Sequence, residues 1–165
     1  MNHTDSPRFI VDINVGKLAR WLRMMGYDTV LFDHGHDDRM IRIALSEGRI
    51  IVTRDTQLMK RRVITSGRLK AVLVTSDQPE EQIRQVVDKL HLDTSYSPFS
   101  LCLECNQPLV ERSKAEVADL VPPHVFKTQE HYVQCPGCLR VYWKGTHWQA
   151  MTEKLRGLGQ VVNQE

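Results

Sequence analysis

Short apolar runs and helical stripes alternate through the first ninety residues. The runs are Phe9-Ile-Val11, Thr29-Val-Leu-Phe32, Ile50-Ile-Val-Thr53 and Ala71-Val-Leu-Val-Thr75. Continuous runs this short, each bounded by helical patterning, read as strands buried on both faces. Between the first two, Leu18, Trp21, Leu22 and Met25 recur at helical spacing and Gly26 closes the pattern. A second stripe, Met40, Ile41, Ala44 and Leu45, lies between a capping Asp37 and a terminating Gly48. Thr56 through Val63 reads as a third helical stretch. Pro79–Leu90 reads as a fourth, with Ile83, Val86, Val87 and Leu90 on one face. The strand–helix alternation predicts an α/β fold, a doubly wound parallel sheet with helices on both faces.

The pattern changes after His91–Ser100, a stretch rich in Ser, Thr and Pro. Residues 1–97 are expected to form the α/β domain and 98–165 a small, mostly β domain. In the latter, Val121-Pro-Pro123 marks a loop, His131–Val133 and Leu139–Trp143 mark strands, and Gln149–Leu155 a final short helix that covers an edge or docks back.

The ends of the four runs carry the chemistry. Asp12, Asp33, Asp55 and Asp77 stand at or just past them, separated by 21, 22 and 22 residues. Open α/β sheets bind ligands outside the carboxyl ends of their strands. Acids gathered there form a cup for Mg²⁺ or Mn²⁺, hard cations that prefer oxygen ligands. Such an ion activates water and offsets charge on a phosphodiester. The acids differ in their ordinary explanations. Asp12 has only a loop-capping turn to account for it, and Asp55 can cap the helix beginning at Thr56. Asp37 and Asp38 sit at a helix start, and Asp77-x-x-Glu80 has capping-box spacing. Asp33 begins the loop Asp33-His-Gly-His36. A carboxylate on the first turn of the second helix, Asp37 or Asp38, can also point at the strand ends.

Net charge is only +2, but its distribution is informative. Residues 1–97 carry 15 Lys/Arg against 13 Asp/Glu, and 98–165 carry 7 of each. If several acids converge on one site, the remaining surface of the first part is basic. Lys60-Arg61-Arg62 is a local cluster, and Lys17, Arg20 and Arg23 share the arc of the first helix opposite its apolar stripe. These are either solvated faces or a phosphate-tracking surface. No apolar stretch is long enough to span a bilayer, and Met1–Pro7 lacks the apolar centre of a signal peptide, so a cytoplasmic protein is expected.

All four cysteines lie in the second part, as Cys102-Leu-Glu-Cys105 and Cys135-Pro-Gly-Cys138. Two C-x-x-C knuckles complete a tetrahedral thiolate shell for structural Zn²⁺. Nearby, Tyr142, Trp143, Lys144, His147 and Trp148 combine aromatic faces with cations, as RNA-binding surfaces do. Packing of a small ribbon against its neighbour is the alternative role.

The segments Arg8-Phe-Ile-Val-Asp12, Gly16-Lys-Leu-Ala-Arg-Trp-Leu-Arg23, Asp37-Asp38, Glu47–Asp55 and Pro79-Glu-Glu-Gln82, taken together, resemble the PIN-like RNase domain found at the C-terminus of mut-seven exonucleases. The free-standing form, with a zinc ribbon after the nuclease domain, is matched by both knuckles, Val121-Pro-Pro123 and Val141–Trp148. The resemblance implies a PIN-type fold and metal-dependent RNA cleavage by carboxylates. It places the strand-one acid at Asp12, the helix acid at Asp37 or Asp38, the third-strand acid at Asp55 and a fourth at Asp77. Arg20, Arg54 or Lys60–Arg62 would steer the RNA backbone. One departure is Leu139, where a glycine often follows the last knuckle cysteine. Two rivals stand beside this reading: a non-catalytic RNA-binding adaptor, and a receiver-like phosphoacceptor module. The latter requires a paired acid at strand one, where Asp12 is followed by Ile13-Asn14.

Overall fold

In the computed structural model, which describes residues 6–162, four parallel strands form one sheet. They are β1 (Arg8–Asp12), β2 (Thr29–Phe32), β3 (Arg49–Thr53) and β4 (Ala71–Leu73), in the order β2-β1-β3-β4. The connecting helices are α1 (Leu18–Met24), α2 (Asp37–Glu47), α3 (Thr56–Met59) and α4 (Arg62–Thr65), and α5 (Pro79–Leu90) follows the last strand. Alternate residues of each strand enter opposite cores. Phe9, Val11, Val52 and Val72 pack with Leu18 and Leu22 of α1 and Ile83 and Val86 of α5. Ile10 and Ile51 pack with Met40, Ile41 and Ala44 of α2. Burial on both faces is why the strands read as unbroken apolar runs. Each fully buried Phe, Ile or Leu stabilises the fold by about 1.5–3 kcal/mol. The predicted doubly wound, PIN-like sheet is therefore present.

Local chemistry sets several boundaries. Gly48 ends α2 in the left-handed conformation (φ 65°), and Asp55 caps α3 by accepting from the backbone N–H of Gln57 and Leu58. Gly26 (φ 97°) closes the turn after α1, where a Cβ would collide with the Ser97 carbonyl. Other expectations are corrected. Asp37 is the first residue of α2 rather than its cap; His36 holds the cap position. Thr56–Val63 is not one helix, because Arg61 adopts an extended conformation and splits it into α3 and α4. β4 stops at Leu73, although Val74 N–H still donates to the Thr53 carbonyl at 2.8 Å. Leu45 is exposed, outside the buried stripe.

The second part contains a three-stranded antiparallel sheet of β5 (Val110–Arg112), β6 (Tyr132–Gln134) and β7 (Val141–Tyr142), in the order β5-β6-β7. Val121-Pro-Pro123 opens a helix, α6 (Pro123–Thr128), that sequence patterning read as loop. Pro123 takes the first helical position, where a missing N–H costs nothing. Val117, Val121, Val125 and Tyr132 form a small core here. The final helix, α7 (Thr146–Val162), is longer than expected and delivers Met151, Leu155 and Leu158 into the core of the parallel sheet.

A polar network ties the first knuckle to that sheet. Arg23, read from sequence as part of an exposed basic arc, is buried. Its Nε donates to the Thr29 carbonyl and its guanidinium to the Leu103 carbonyl, at 3.0 and 2.8 Å. Asn106 accepts from Thr29 N–H at 2.9 Å and donates to Asp28 at 2.7 Å, and Asp28 also pairs with Arg49 at 2.9 Å. Burial disfavours the Asp28 carboxylate, but the Asn106 and Arg49 hydrogen bonds outweigh it and hold its pKa below the ordinary value.

Candidate active site and cysteine centre

The chain leaves β1 to build β2 on one side and returns to place β3 on the other, so the gap between the carboxyl ends of β1 and β3 is the topological switch point. Asp12 ends β1 and Asp55 stands two residues past β3, one on each side of that gap. Asp12 does not cap the 3-10 turn Ile13–Val15 that follows it. Instead it accepts from the Thr53 hydroxyl at 2.9 Å, and that hydroxyl accepts from Asp55 N–H at 3.0 Å. Thr53 is fully buried and thus couples the two acids. Asn14 adds a second link across the gap, accepting from Arg54 N–H at 3.4 Å. Periodicity did not single out Thr53 or Asn14; a polar residue closing an otherwise apolar run was the available signal for Thr53.

By strand alternation, Asp12 and Thr53 continue the side of the sheet that carries Ile10 and Ile51, the side covered by α2. Asp37, half-buried, lies on the first turn of that helix. Asp38 is exposed and paired with Arg61 at 2.5 Å, which holds its pKa below the ordinary carboxylate value. Asp33 is exposed in the loop after β2. Asp77 is exposed beside β4, and the expected capping box does not form: Gln78 holds the cap position of α5, with no side-chain cap bond. The Asp77 turn is held from below by buried Gln82, which donates to the Ser76 carbonyl at 2.8 Å. The four acids thus line one edge in the spatial order Asp33, Asp12, Asp55, Asp77. No three of these acids bring their carboxylate oxygens within 4.8 Å of one another. Among the described residues, the group of three or more metal-ligating side chains with all ligand atoms within 4.8 Å is the cysteine cluster.

Of the cations singled out from sequence, Arg54, Lys60 and Arg62 are exposed on the connection after β3 and carry no ion pair among the described residues; Arg61 is spent on Asp38. Arg20 pairs with Glu104 of the first knuckle, whereas Lys17 is exposed with no ion-pair partner among the described residues.

The four thiols gather as predicted. Cys102, Cys105, Cys135 and Cys138 offer sulfurs all within 4.8 Å of one another, and none is in a disulfide. Cys102 and Cys138 Sγ are 3.7 Å apart. A tetrahedron with Zn–S bonds of about 2.3 Å has edges of about 3.8 Å. Each knuckle turns a backbone N–H back on its first sulfur, Cys105 to Cys102 at 3.4 Å and Cys138 to Cys135 at 3.5 Å. Burial pushes the Cys102 thiol up, but donation from the Tyr142 hydroxyl and nearby backbone N–H groups brings it down to about 7. This is a donor set suited to a structural zinc ion. Asn106 and Leu139, the residues after the two knuckles, both lie in the left-handed region, at φ 63° and 67°. Leu139 therefore occupies the conformation that favours glycine.

Packing accounts for part of the aromatic segment. Trp143 lies against the ribbon core and Trp148 against the main core. Lys144 sits over the rings of Phe99 and Trp148, and His147 is exposed. No helix among the described residues is long and apolar enough to cross a membrane.

Comparison with known proteins agrees with this architecture. The family model described as the Mut7-C RNAse domain matches residues 7–155. No curated protein and no solved structure matches the chain.

Proposed function

The chain belongs to the Mut7-C RNAse domain family, and from that premise we propose that it hydrolyses RNA phosphodiester bonds at the carboxyl edge of the parallel sheet, assisted by Mg²⁺ or Mn²⁺. The observation that carries this reading is the Asp12–Thr53–Asp55 hydrogen-bond chain across the switch point. Asp12, Asp55 and Asp37 would hold the cation, with Asp77 at the rim. The donor chemistry fits: Mg²⁺ keeps several waters and is commonly bound through only one or two carboxylates, so direct contact with every acid is not required. When bound, the ion supplies charge neutralisation and an activated water.

The protein's own part is positioning. Thr53 fixes one Asp12 oxygen and one face of the Asp55 loop. One oxygen of Asp55 is held by the α3 cap, which orients the other. Asp37 is favoured over Asp38 as the helix acid because Asp38 already neutralises Arg61. Arg54, Lys60 and Arg62 flank this edge and would meet substrate phosphates. The second part, residues 98–165, is a structural zinc ribbon that also contributes RNA-binding groups, and the protein acts in the cytoplasm on single-stranded or structured RNA.

The test is cleavage of single-stranded and structured RNA with Mn²⁺, compared with EDTA and with Asp12→Asn and Asp55→Asn proteins. Both substitutions should lower kcat by a hundredfold or more. Activity that survives both would overturn the carboxylate mechanism.

A further inference from the structure

Two adjoining grooves run over α1 and the start of α7. The first, about 430 Å³, lies between Lys17 at the head of α1, Pro79 at the head of α5, and His147 and Lys154 of α7. It therefore opens two residues from Asp77 and next to the turn that follows Asp12. The second, about 370 Å³, lies between Leu103, Val125, Tyr142, Trp143 and Trp148. Arg20, His147 and Met151 line both, so the two are continuous. All three tryptophans of the chain line this track, Trp21 in the first groove and Trp143 and Trp148 in the second.

The lining chemistry selects an occupant. Five cationic or imidazole side chains face the track (Lys17, Arg20, His124, His147 and Lys154), and among the described residues no carboxylate lines either groove. Arg20 and Lys154 are partnered from outside, by Glu104 and Glu80, while Lys17 has no ion-pair partner among the described residues. Aromatic and apolar walls with cations along one path are the arrangement that takes unstacked bases and their phosphates, and a paired helix cannot present its base faces to such walls.

We propose that this track binds the single-stranded segment of RNA adjoining the cleavage site, with an unpaired base seated in the groove between Tyr142, Trp143 and Trp148. The proposal rests on the nuclease reading and adds the substrate's form: an unpaired strand reaching from the carboxylate edge to the ribbon. It also locates the ribbon's contribution to RNA binding in its aromatic side chains, one of which, Tyr142, adjoins the zinc site through Cys102.

The test uses the full zinc-loaded chain without added Mg²⁺ or Mn²⁺, titrated with a 12-nucleotide oligouridylate and with a blunt RNA duplex of equal length. Single strand should bind at least tenfold more tightly than duplex and quench tryptophan fluorescence. Lys17→Ala combined with His147→Ala should raise Kd five- to tenfold, with melting temperature and zinc content unchanged. Equal binding of duplex, absence of quenching, or a Kd within twofold of wild type for the double variant would overturn the proposal. Should the double variant misfold, His147→Ala alone, with its side chain exposed, should still raise Kd at least twofold; an unchanged Kd overturns the proposal. The track is judged by Kd and quenching, and the nuclease reading by product formation from the Asp12→Asn protein, so each can fail alone.

Discussion

Replacing Asn106 by Ala should destabilise the whole molecule, although the residue lies beside a zinc knuckle and far along the chain from the sheet. The Asn106 side chain accepts from Thr29 N–H, at the start of β2, and donates to Asp28. Thr29 is fully buried, so its amide would lose its partner without gaining water, a cost of about 1–3 kcal/mol. The bond to the Asp28 carboxylate is charge-assisted, and losing it adds about 1.5 kcal/mol. Alanine must also hold φ 63°, adding about 1 kcal/mol. The sum is about 4 kcal/mol. At roughly 2–4 °C per kcal/mol for a chain of this size, melting should fall by about 8–16 °C. Asn106→Gly separates the contributions, since it removes the side chain but tolerates the backbone angle; it should recover part of the loss. Thermal unfolding of zinc-loaded wild-type, Asn106→Ala and Asn106→Gly proteins provides the measurement. A fall of less than 3 °C for Asn106→Ala would refute the inference that this side chain carries the docking of ribbon to sheet.

Four further outcomes are expected. Thr53→Val should lower kcat for RNA cleavage about ten- to hundredfold with little change in KM, and Thr53→Ser should restore it, because serine keeps the hydroxyl between Asp12 and Asp55; steady-state kinetics decide, and failure of serine to rescue would point to packing instead. Leu139→Gly should raise stability by about 0.5–1 kcal/mol, since an exposed leucine at φ 67° gives up little packing and is relieved of strain; denaturant midpoints read this directly. Asp28 has a folded pKa below its unfolded value near 3.9, so its contribution is present above that pH and is lost as pH falls through the folded value. Melting temperatures between pH 5 and 2 should therefore decline more steeply for wild type than for Asp28→Asn. Fresh reduced protein should contain about one equivalent of zinc, and removing it with a strong chelator should lower the melting temperature, because the knuckle docks on β2 through Arg23 and Asn106.

Much of the fold was legible without coordinates because the responsible forces are local or periodic. Continuous apolar runs marked strands buried on both faces, Gly48 closed α2, and the limits of α5 were read residue for residue. The C-x-x-C spacing brought the sulfurs together two by two because a knuckle is a short-range turn, and tertiary contact joined the pairs, with Cys102 and Cys138 at 3.7 Å. Recurring aspartates marked the strand ends, but only the strand order β2-β1-β3-β4 put Asp12 and Asp55 on either side of the switch point. The same limit explains the errors: Arg23 looked solvated on a helical wheel because the carbonyls that bury it come from Thr29 and from Leu103, eighty residues away. A cap and a first-turn acid look alike in sequence, so Asp37 reads as the cap although His36 holds that position. Chain-local patterning thus determined the elements, the metal-binding knuckles and the identity of the acids. Tertiary structure decided which acids share a hydroxyl, which arginines remain exposed, and that the ribbon and α7 close a groove over α1, because those depend on contacts between residues that no periodicity connects.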